Sequence, residues 1–526
     1  MQLVWLVGEC LGASILLHSG GSTRSHIKGM LEVGQTLAER GHAVRYVAMD
    51  DNLPYADGYN ITAVGLGSKG AYRSTFAKII DACCKGKMGQ EYNRGFASTA
   101  NEWLSECYQH EYMPLLKHIQ NDPPALMVCD LFANPCIEMA EQKGIPLVIG
   151  IQALDYLGIF NAPYVANDPR FSPQTIDQLS FGRRVFDSVM IPYLKWKVWK
   201  TITGNINQLR LKFGSNATWF PRGAFHYGVG LANSFVGFEA AQPLPPNIKL
   251  VGPILSQHPP PLDESLAAYL LTHNRVLFVA FGSLLSLQPP ELTRILNGAL
   301  EAMEHGHIDG LIWGLGKTLV TGLPSKHDFL ADSRFLFLPW APQQAILNHP
   351  HTVLFLSHGG LESCFEAMHS RTPVLTLPFF GDQEHNSRKL YDLGVGFNLD
   401  PFNIDIASSI DALLSRPTLA SSLDKAQALI NPHRRRREEA ANYIEDHLEM
   451  AQACRPHFPY IPGSGTPPCE LSHLLPASTH MSYFTANRFD VYLFLFIMVL
   501  ATTSAIAFLI YSTLLRPPNE PRLKSE

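Results

Sequence analysis

The sequence predicts an α/β protein with two Rossmann-like, doubly wound domains and a membrane-crossing helix at its end. Three observations predict this. Short apolar β-rich runs alternate with helical stretches in both halves of the 526-residue chain. A proline-rich interruption, Gln242–Pro246 and then Gln257–Pro261, stands between the halves. The 25 residues Val491–Leu515 carry no charge, and about 20 apolar residues suffice to cross a bilayer as a helix.

The first domain is read over residues 14–240. Its strand candidates are Ser14–His18, Ala43–Ala48, Ile61–Gly65, Ala125–Asp130 and Pro146–Ile151. Between the first two, Met30, Leu31, Val33 and Leu37 share one helix face, and Gly41 ends that helix. The strands are almost continuously apolar, as burial on both faces of a parallel sheet requires. Residues 152–225 break the rhythm with aromatics such as Tyr193, Trp196 and Trp199 and read as helices or loops added to the sheet. Residues 241–262 read as a linker.

The rhythm restarts over 263–430, with strands at Val276–Gly282, Leu311–Trp313, Phe335–Leu338, Val353–Ser357, Val374–Leu377 and Gly396–Leu399. A charged helix is expected over 431–454, where the run Arg434–Arg437 reads as a solvated face. A flexible Pro/Ser/Gly-rich stalk is expected over 455–490, then the membrane helix 491–515 and a tail, 516–526. Arg516, Arg522 and Lys524 in that tail favour a cytosolic C-terminus. The domains would then lie in the lumen, with Met1–Ala13 as a short export signal despite Glu9 and no basic start. The sequons at Asn60 and Asn216 are compatible with that side of the membrane.

Composition narrows the function classes. Hydrophobic residues at 46% and charged residues at 17% exclude a disordered chain. The 39 Gly and 38 Pro show no three-residue period, which excludes a collagen-like fibre. A formal charge of −5 gives no pull toward nucleic acid. Nine cysteines without a CxxC pair imply neither a metal site nor a disulfide framework. No G-x-G-x-x-G follows a strand, which disfavours a nicotinamide oxidoreductase.

Doubly wound domains bind ligands beyond the carboxyl ends of their strands. There the strand Val353–Ser357 runs into His358, Gly359 and Gly360, with a helix beginning after them. Glycines at such a turn let backbone N–H groups approach an anion that the helix N-terminus favours. His358 and Ser363 add donors, and Glu366 supplies a carboxylate for the paired hydroxyls of a ribose. Trp340 offers a ring for a base to stack on, and Gln343 an amide for its edge. Asp382 and Gln383, after the next strand, suit the vicinal hydroxyls of a sugar.

W-x-P-Q, H-G-G-x-x-S-x-x-E and P-x-x-G-D-Q, running from Trp340 to Gln383, resemble the nucleotide-sugar signature of the UDP-glycosyltransferases. The resemblance implies the two-domain GT-B fold, with the second domain holding a UDP-sugar. It assigns Trp340 and Gln343 to the uridine, Glu366 to the ribose, and Asp382 and Gln383 to the sugar. Ser283, His358 and Ser363 would hold the diphosphate, beside Gly359 and Gly360. It also implies His26 as general base, in the loop after the first strand, with Asp130 as its acidic partner. One position departs: the family commonly has Asn before the Ser of the HGG helix, and this chain has Glu362, a carboxylate unfavourable beside a diphosphate unless it points away.

The function so implied is inverting transfer of glucose or glucuronate to a hydroxyl of a small lipophilic acceptor, by a membrane-anchored glycoprotein of the endoplasmic reticulum. The UDP-sugar is a co-substrate, and neither cofactor nor metal is expected. The alternative is an impaired member of the same fold that binds UDP-sugar or lipid without turnover.

Overall fold

The computed structural model describes residues 12–20, 24–68, 92–154, 162–167, 175–215, 225–283, 285, 287, 289–316, 318, 327–379, 381–400, 403–431, 435–477 and 481–514. Outside them lie residues 1–11 of the export-signal candidate, the Asn216 sequon, Arg434 and the tail 516–526. The chain forms two compact units, residues 1–472 and 473–526.

The first unit opens with β1 (Ser14–His18), α1 (Arg24–Glu39), β2 (Ala43–Ala48) and β3 (Thr62–Gly65). The long α2 (Tyr92–Asn121), β4 (Leu126–Asp130), α3 (Asn134–Lys143) and β5 (Leu147–Ile151) follow. Two helices, α4 (Ile191–Ile202) and α5 (Gly204–Lys212), form the aromatic insertion before β6 (Gly228–Ala232) and β7 (Ile248–Leu250). Among the described residues these strands make a parallel sheet ordered β3-β2-β1-β4-β5-β6-β7. Every residue of β4, β5 and β6 is buried, because helices cover both faces.

The second sheet is built by α6 (Glu264–Thr272), β8 (Val276–Ala280), α7 (Pro289–Glu304), β9 (Gly310–Gly314) and β10 (Phe335–Leu338). It continues with α8 (Gln343–Leu347), β11 (Thr352–Ser357), α9 (Leu361–Ser370), β12 (Val374–Thr376), α10 (Gln383–Asp392) and β13 (Gly396–Asn398). Its order, β10-β9-β8-β11-β12-β13, repeats the reversal of the first sheet. Then α11 (Ile406–Leu414), α12 (Leu419–Ile430) and α13 (Arg436–Cys454) close the unit.

Several expectations change. β6 and β7 carry no long apolar run, and β7 falls inside 241–262, so the first sheet extends into the expected linker. Gly230 belongs in β6 because a Cβ there would come within 2.6 Å of Ile248 and 2.9 Å of Phe225. The charged α13 turns back onto the first domain. Arg40 bonds Asn442 at 2.8 Å, and His42 Nε2 meets Glu445 at 3.1 Å. Arg437 is not a solvated face: its side chain is 11% exposed and lies 3.7 Å from Glu32.

The expected stalk is docked over its first half. Glu470 is buried and pairs with Arg455, which also bonds the Gly144 carbonyl. Among the described residues two disulfides, Cys129–Cys136 and Cys454–Cys469, correct the reading of the cysteines; their separations of 7 and 15 fit no CxxC motif, and the fold brings each pair together. Cys454, Cys469 and Glu470 lie together, but the two sulfurs are bonded to each other.

Two apolar cores sit on the two sheets. The second recruits Phe235 and Phe238 from the segment after β6, packed on Phe365. A buried ion pair, Lys389 to Glu239 at 2.6 Å, crosses the same junction. The second unit holds α14 (Phe489–Leu514), 26 residues with an 18-residue stretch of mean hydropathy 2.6, long and apolar enough to cross a membrane.

Candidate active site

In both sheets the strand order reverses beside the first strand, at β1/β4 and at β8/β11. Such a reversal sends neighbouring loops to opposite faces and leaves a crevice at the strand ends. The sequence candidates fall at these two crevices. His26 follows β1 and Asp130 ends β4; Ser283 follows β8 and His358 follows β11. One cleft of about 800 Å³ is lined from both domains by His26, Ser283, Trp340, His358, Ser363 and Asp382. It brings nearly all the candidate site residues together.

On the first-domain side, His26 Nδ1 lies 3.0 Å from Asp130 Oδ2. The carboxylate accepts, so Nδ1 carries the proton and Nε2 is left with a lone pair. Asp130 is fixed in turn, its Oδ1 accepting from the Phe132 N–H at 2.9 Å, and it is fully buried, whereas the His26 side chain is 18% exposed. Burial pulls the His26 pKa down, but the charge and hydrogen bond of Asp130, helped by Asp382 and Glu362, outweigh it and raise it above 6.5.

On the second-domain side, α9 starts behind Gly360, and its first turn is aimed at the cleft. Gly359 has φ +80°, and a Cβ on it would meet the Gln383 carbonyl at 2.9 Å. A Cβ on Gly360 would come within 2.5 Å of His358 Nε2. Gly360 and Gly282 therefore leave room for the His358 ring, and Gly359 for the start of α10. Burial lowers the His358 pKa to about 4, so the ring is neutral, and its Nδ1 is buried without a hydrogen-bond partner among the described residues.

Gln343 Nε2 donates to Ser363 Oγ at 3.0 Å and to Glu366 Oε2 at 2.7 Å, tying the uridine and ribose candidates into one network. Trp340 is 58% exposed, as a ring offered to a ligand should be, with the Arg24 guanidinium 5.8 Å from its centroid. Asp382 accepts from Asn386 at 2.6 Å, and Asn386 also bonds the Gly359 carbonyl. The side chain of Gln383 turns inward, its Oε1 accepting from the Phe379 N–H at 2.8 Å, so this residue braces the loop more than it faces the cleft.

Two residues were not foreseen. Lys28 reaches from α1 across the cleft to Glu366 at 3.0 Å and to Glu362 at 3.9 Å. Burial opposes its charge, but the two carboxylates prevail and raise its pKa. His26 sits in the first turn of α1 and not in the expected loop, and Gln152 donates to its carbonyl and anchors that turn. A signal for Lys28 was available: α1 has Arg24 and Lys28 near its N-terminus and no acidic residue in its first turn, against the helix dipole. Cations so placed answer to something outside the helix.

The chain matches the family model described as UDP-glucoronosyl and UDP-glucosyl transferase over residues 22–415. It is 27% identical to a UDP-glycosyltransferase of Talaromyces amestolkiae, covering 88% of this chain and 91% of that one. It is 23% identical to UDP-glucuronosyltransferase 3A1 of Bos taurus, covering 91% and 89%. The crystal structure of the glycotransferase of kitacinnamycin shares the fold, with a TM-score of 0.57 at 18% identity over 82% of this chain and 98% of that one.

Proposed function

The chain belongs to the UDP-glucuronosyl and UDP-glucosyl transferase family, and from that premise we propose that it transfers a hexose from a UDP-sugar to a hydroxyl of a small lipophilic acceptor, with inversion at the anomeric carbon. It is a glycosyltransferase with the GT-B fold. The observation that carries the finer reading is the His26–Asp130 pair, 3.0 Å apart, across one cleft from the glycine-rich start of α9.

In this reading His26 Nε2 takes the acceptor's proton as the hydroxyl oxygen attacks the anomeric carbon. Asp130 holds the ring in the tautomer that leaves Nε2 basic and stabilises the imidazolium that forms. Attack comes from the face opposite the diphosphate. The bond from the anomeric carbon to the phosphate oxygen breaks, and UDP leaves with the electron pair. The N–H groups at the start of α9, with Ser283, Ser363 and His358, stabilise that departing charge, so the reading calls on no metal or cofactor. Trp340 and Gln343 hold the uridine, Glu366 the ribose and Asp382 the sugar, with Gln383 bracing the Asp382 loop.

The acceptor side is apolar: Phe132, Leu194, Val198, Trp199 and Ile202 line it, mostly from the helical insertion. That supports a lipophilic acceptor. The hydropathy of α14 supports a single membrane anchor, and two disulfides suit an oxidising lumen. An endoplasmic-reticulum protein with luminal domains, Asn60 glycosylated and a cytosolic tail is the arrangement we favour.

The experiment is a thermal-shift panel with UDP and NAD, followed by turnover of labelled UDP-glucose and UDP-glucuronate over phenols, sterols and ceramides. Stabilisation by UDP alone and release of UDP are expected. His26→Ala should abolish transfer while UDP still stabilises the protein. Full activity in that variant would refute the assignment of the base, and UDP binding without turnover would identify a binding protein instead.

A further inference from the structure

Asp130, Asp382 and Glu362 surround the cleft that the His26 imidazole lines, Asp130 in direct contact with the ring. Asp130 bonds it directly, and the charges of Asp382 and Glu362 reach it from the second domain. Glu362 stands in the first turn of α9 and lines the cleft. Its Oε1 is buried and has no hydrogen-bond partner among the described residues. A buried carboxylate oxygen left in this way is a strong acceptor waiting for a proton donor.

Among the described residues, Lys28, Arg437 and Arg24 of the cleft already have acidic or aromatic neighbours. Lys28 is shared between Glu366 and Glu362, and Arg437 lies between Glu32 and Glu438. Arg24 is over Trp340, at the end of the cleft read as the base site, and Lys195 rises from α4 on the acceptor wall. His26, Glu362 and Asp382 line one cleft, so a sugar whose anomeric carbon comes within reach of an acceptor held by His26 has both carboxylates in its surroundings.

Resting on the UDP-sugar reading, we propose that Glu362, together with Asp382, makes the sugar subsite select an uncharged hexose over a uronic acid. A neutral hexose brings hydroxyl protons that satisfy Glu362 Oε1. A uronate instead brings a further carboxylate beside Asp382 and Glu362, where among the described residues Lys28 is already shared between Glu366 and Glu362, and like charges at close range disfavour one another. Burial pushes the Glu362 carboxyl up to about 7; Lys28, Arg24 and His26 from α1 pull it down, and Glu366 on its own helix pushes it up. The group is thus mostly ionised at slightly alkaline pH, where the discrimination should be read.

The test is calorimetric binding of UDP, UDP-glucose and UDP-glucuronate to the full chain in detergent at about pH 8, which needs no knowledge of the acceptor. UDP-glucose should bind at least about tenfold more tightly than UDP-glucuronate. Glu362→Gln, the isosteric uncharged variant, should narrow that ratio to within about threefold, and Glu362→Asn serves as a second variant, with UDP binding as the check that each is folded. Equal affinity for the two donors in the native chain, or an unchanged ratio in both variants, overturns the proposal. A native chain that binds none of the three, UDP included, overturns the transferase reading and this inference with it.

Discussion

His26 concentrates the chemistry in one ring, and its environment gives the reaction a pH signature. Asp130 raises its pKa above 6.5 despite burial, and a base works only when unprotonated. The value of kcat/KM should therefore rise with pH through a limb above 6.5. Asp130→Asn should move that limb to lower pH and cut kcat by about 10²–10⁴; a rate profile of both proteins checks it. The sign for stability is opposite. A raised folded pKa means that the stability from the pair is complete below the unfolded value and is lost as pH rises through the folded one. At this scale the sequence was informative where chemistry follows residue type and spacing, as at Trp340, His358 and Asp382. It was silent on the partners of Lys28, Glu362 and Glu366, which are more than three hundred residues away, and on the inward turn of Gln383, which depends on the backbone of Phe379.

The element that organises the donor side is the turn from β11 into α9. Gly359 takes φ +80°, which side-chain-bearing residues avoid. An added Cβ would also meet Ser387 Oγ at 2.5 Å and the Gln383 carbonyl at 2.9 Å. Gly359→Ala should destabilise the fold by about 1–3 kcal/mol and weaken UDP binding at least about tenfold, measured by denaturant melts and calorimetry. Elsewhere the strands with long apolar runs were readable within a residue or two, because burial on two faces leaves a continuous signal. β6 and β7 were not. The glycines of β6 are required by neighbours distant in sequence, and the three residues of β7 lie at the sheet edge, between proline-rich stretches. The disulfide Cys454–Cys469 holds the segment after α13 and closes a loop of sequence separation 15. Replacing both cysteines by serine should cost about 3 kcal/mol by the loop-entropy relation, seen as a lower Tm and as protease cleavage within 455–468.

Within the first unit the two domains are tied by Lys389–Glu239, both about 3% exposed, and by the return of α13 onto α1. Lys389→Met leaves Glu239 buried without its counter-ion and should cost about 3–5 kcal/mol; thermal melts in which Glu239→Gln is added should recover part of that loss. Removing residues 478–526 takes away α14 but none of the first unit. The shortened protein should stay in the supernatant of a membrane pelleting assay and keep its UDP-dependent thermal shift. The sequence by itself determined the alternation of strands and helices, the apolar span and the donor motif, because periodicity, hydropathy and local spacing are properties of neighbouring residues. The tertiary structure alone decided which residues meet across the cleft, that Arg437 and Glu470 turn inward, that Cys129 pairs with Cys136 and Cys454 with Cys469, and that Glu362 lines the cleft with His26. The cleft contacts join segments far apart in the chain, which only packing two sheets around one crevice brings together, and the disulfides, at separations of 7 and 15, need a backbone path that spacing does not reveal.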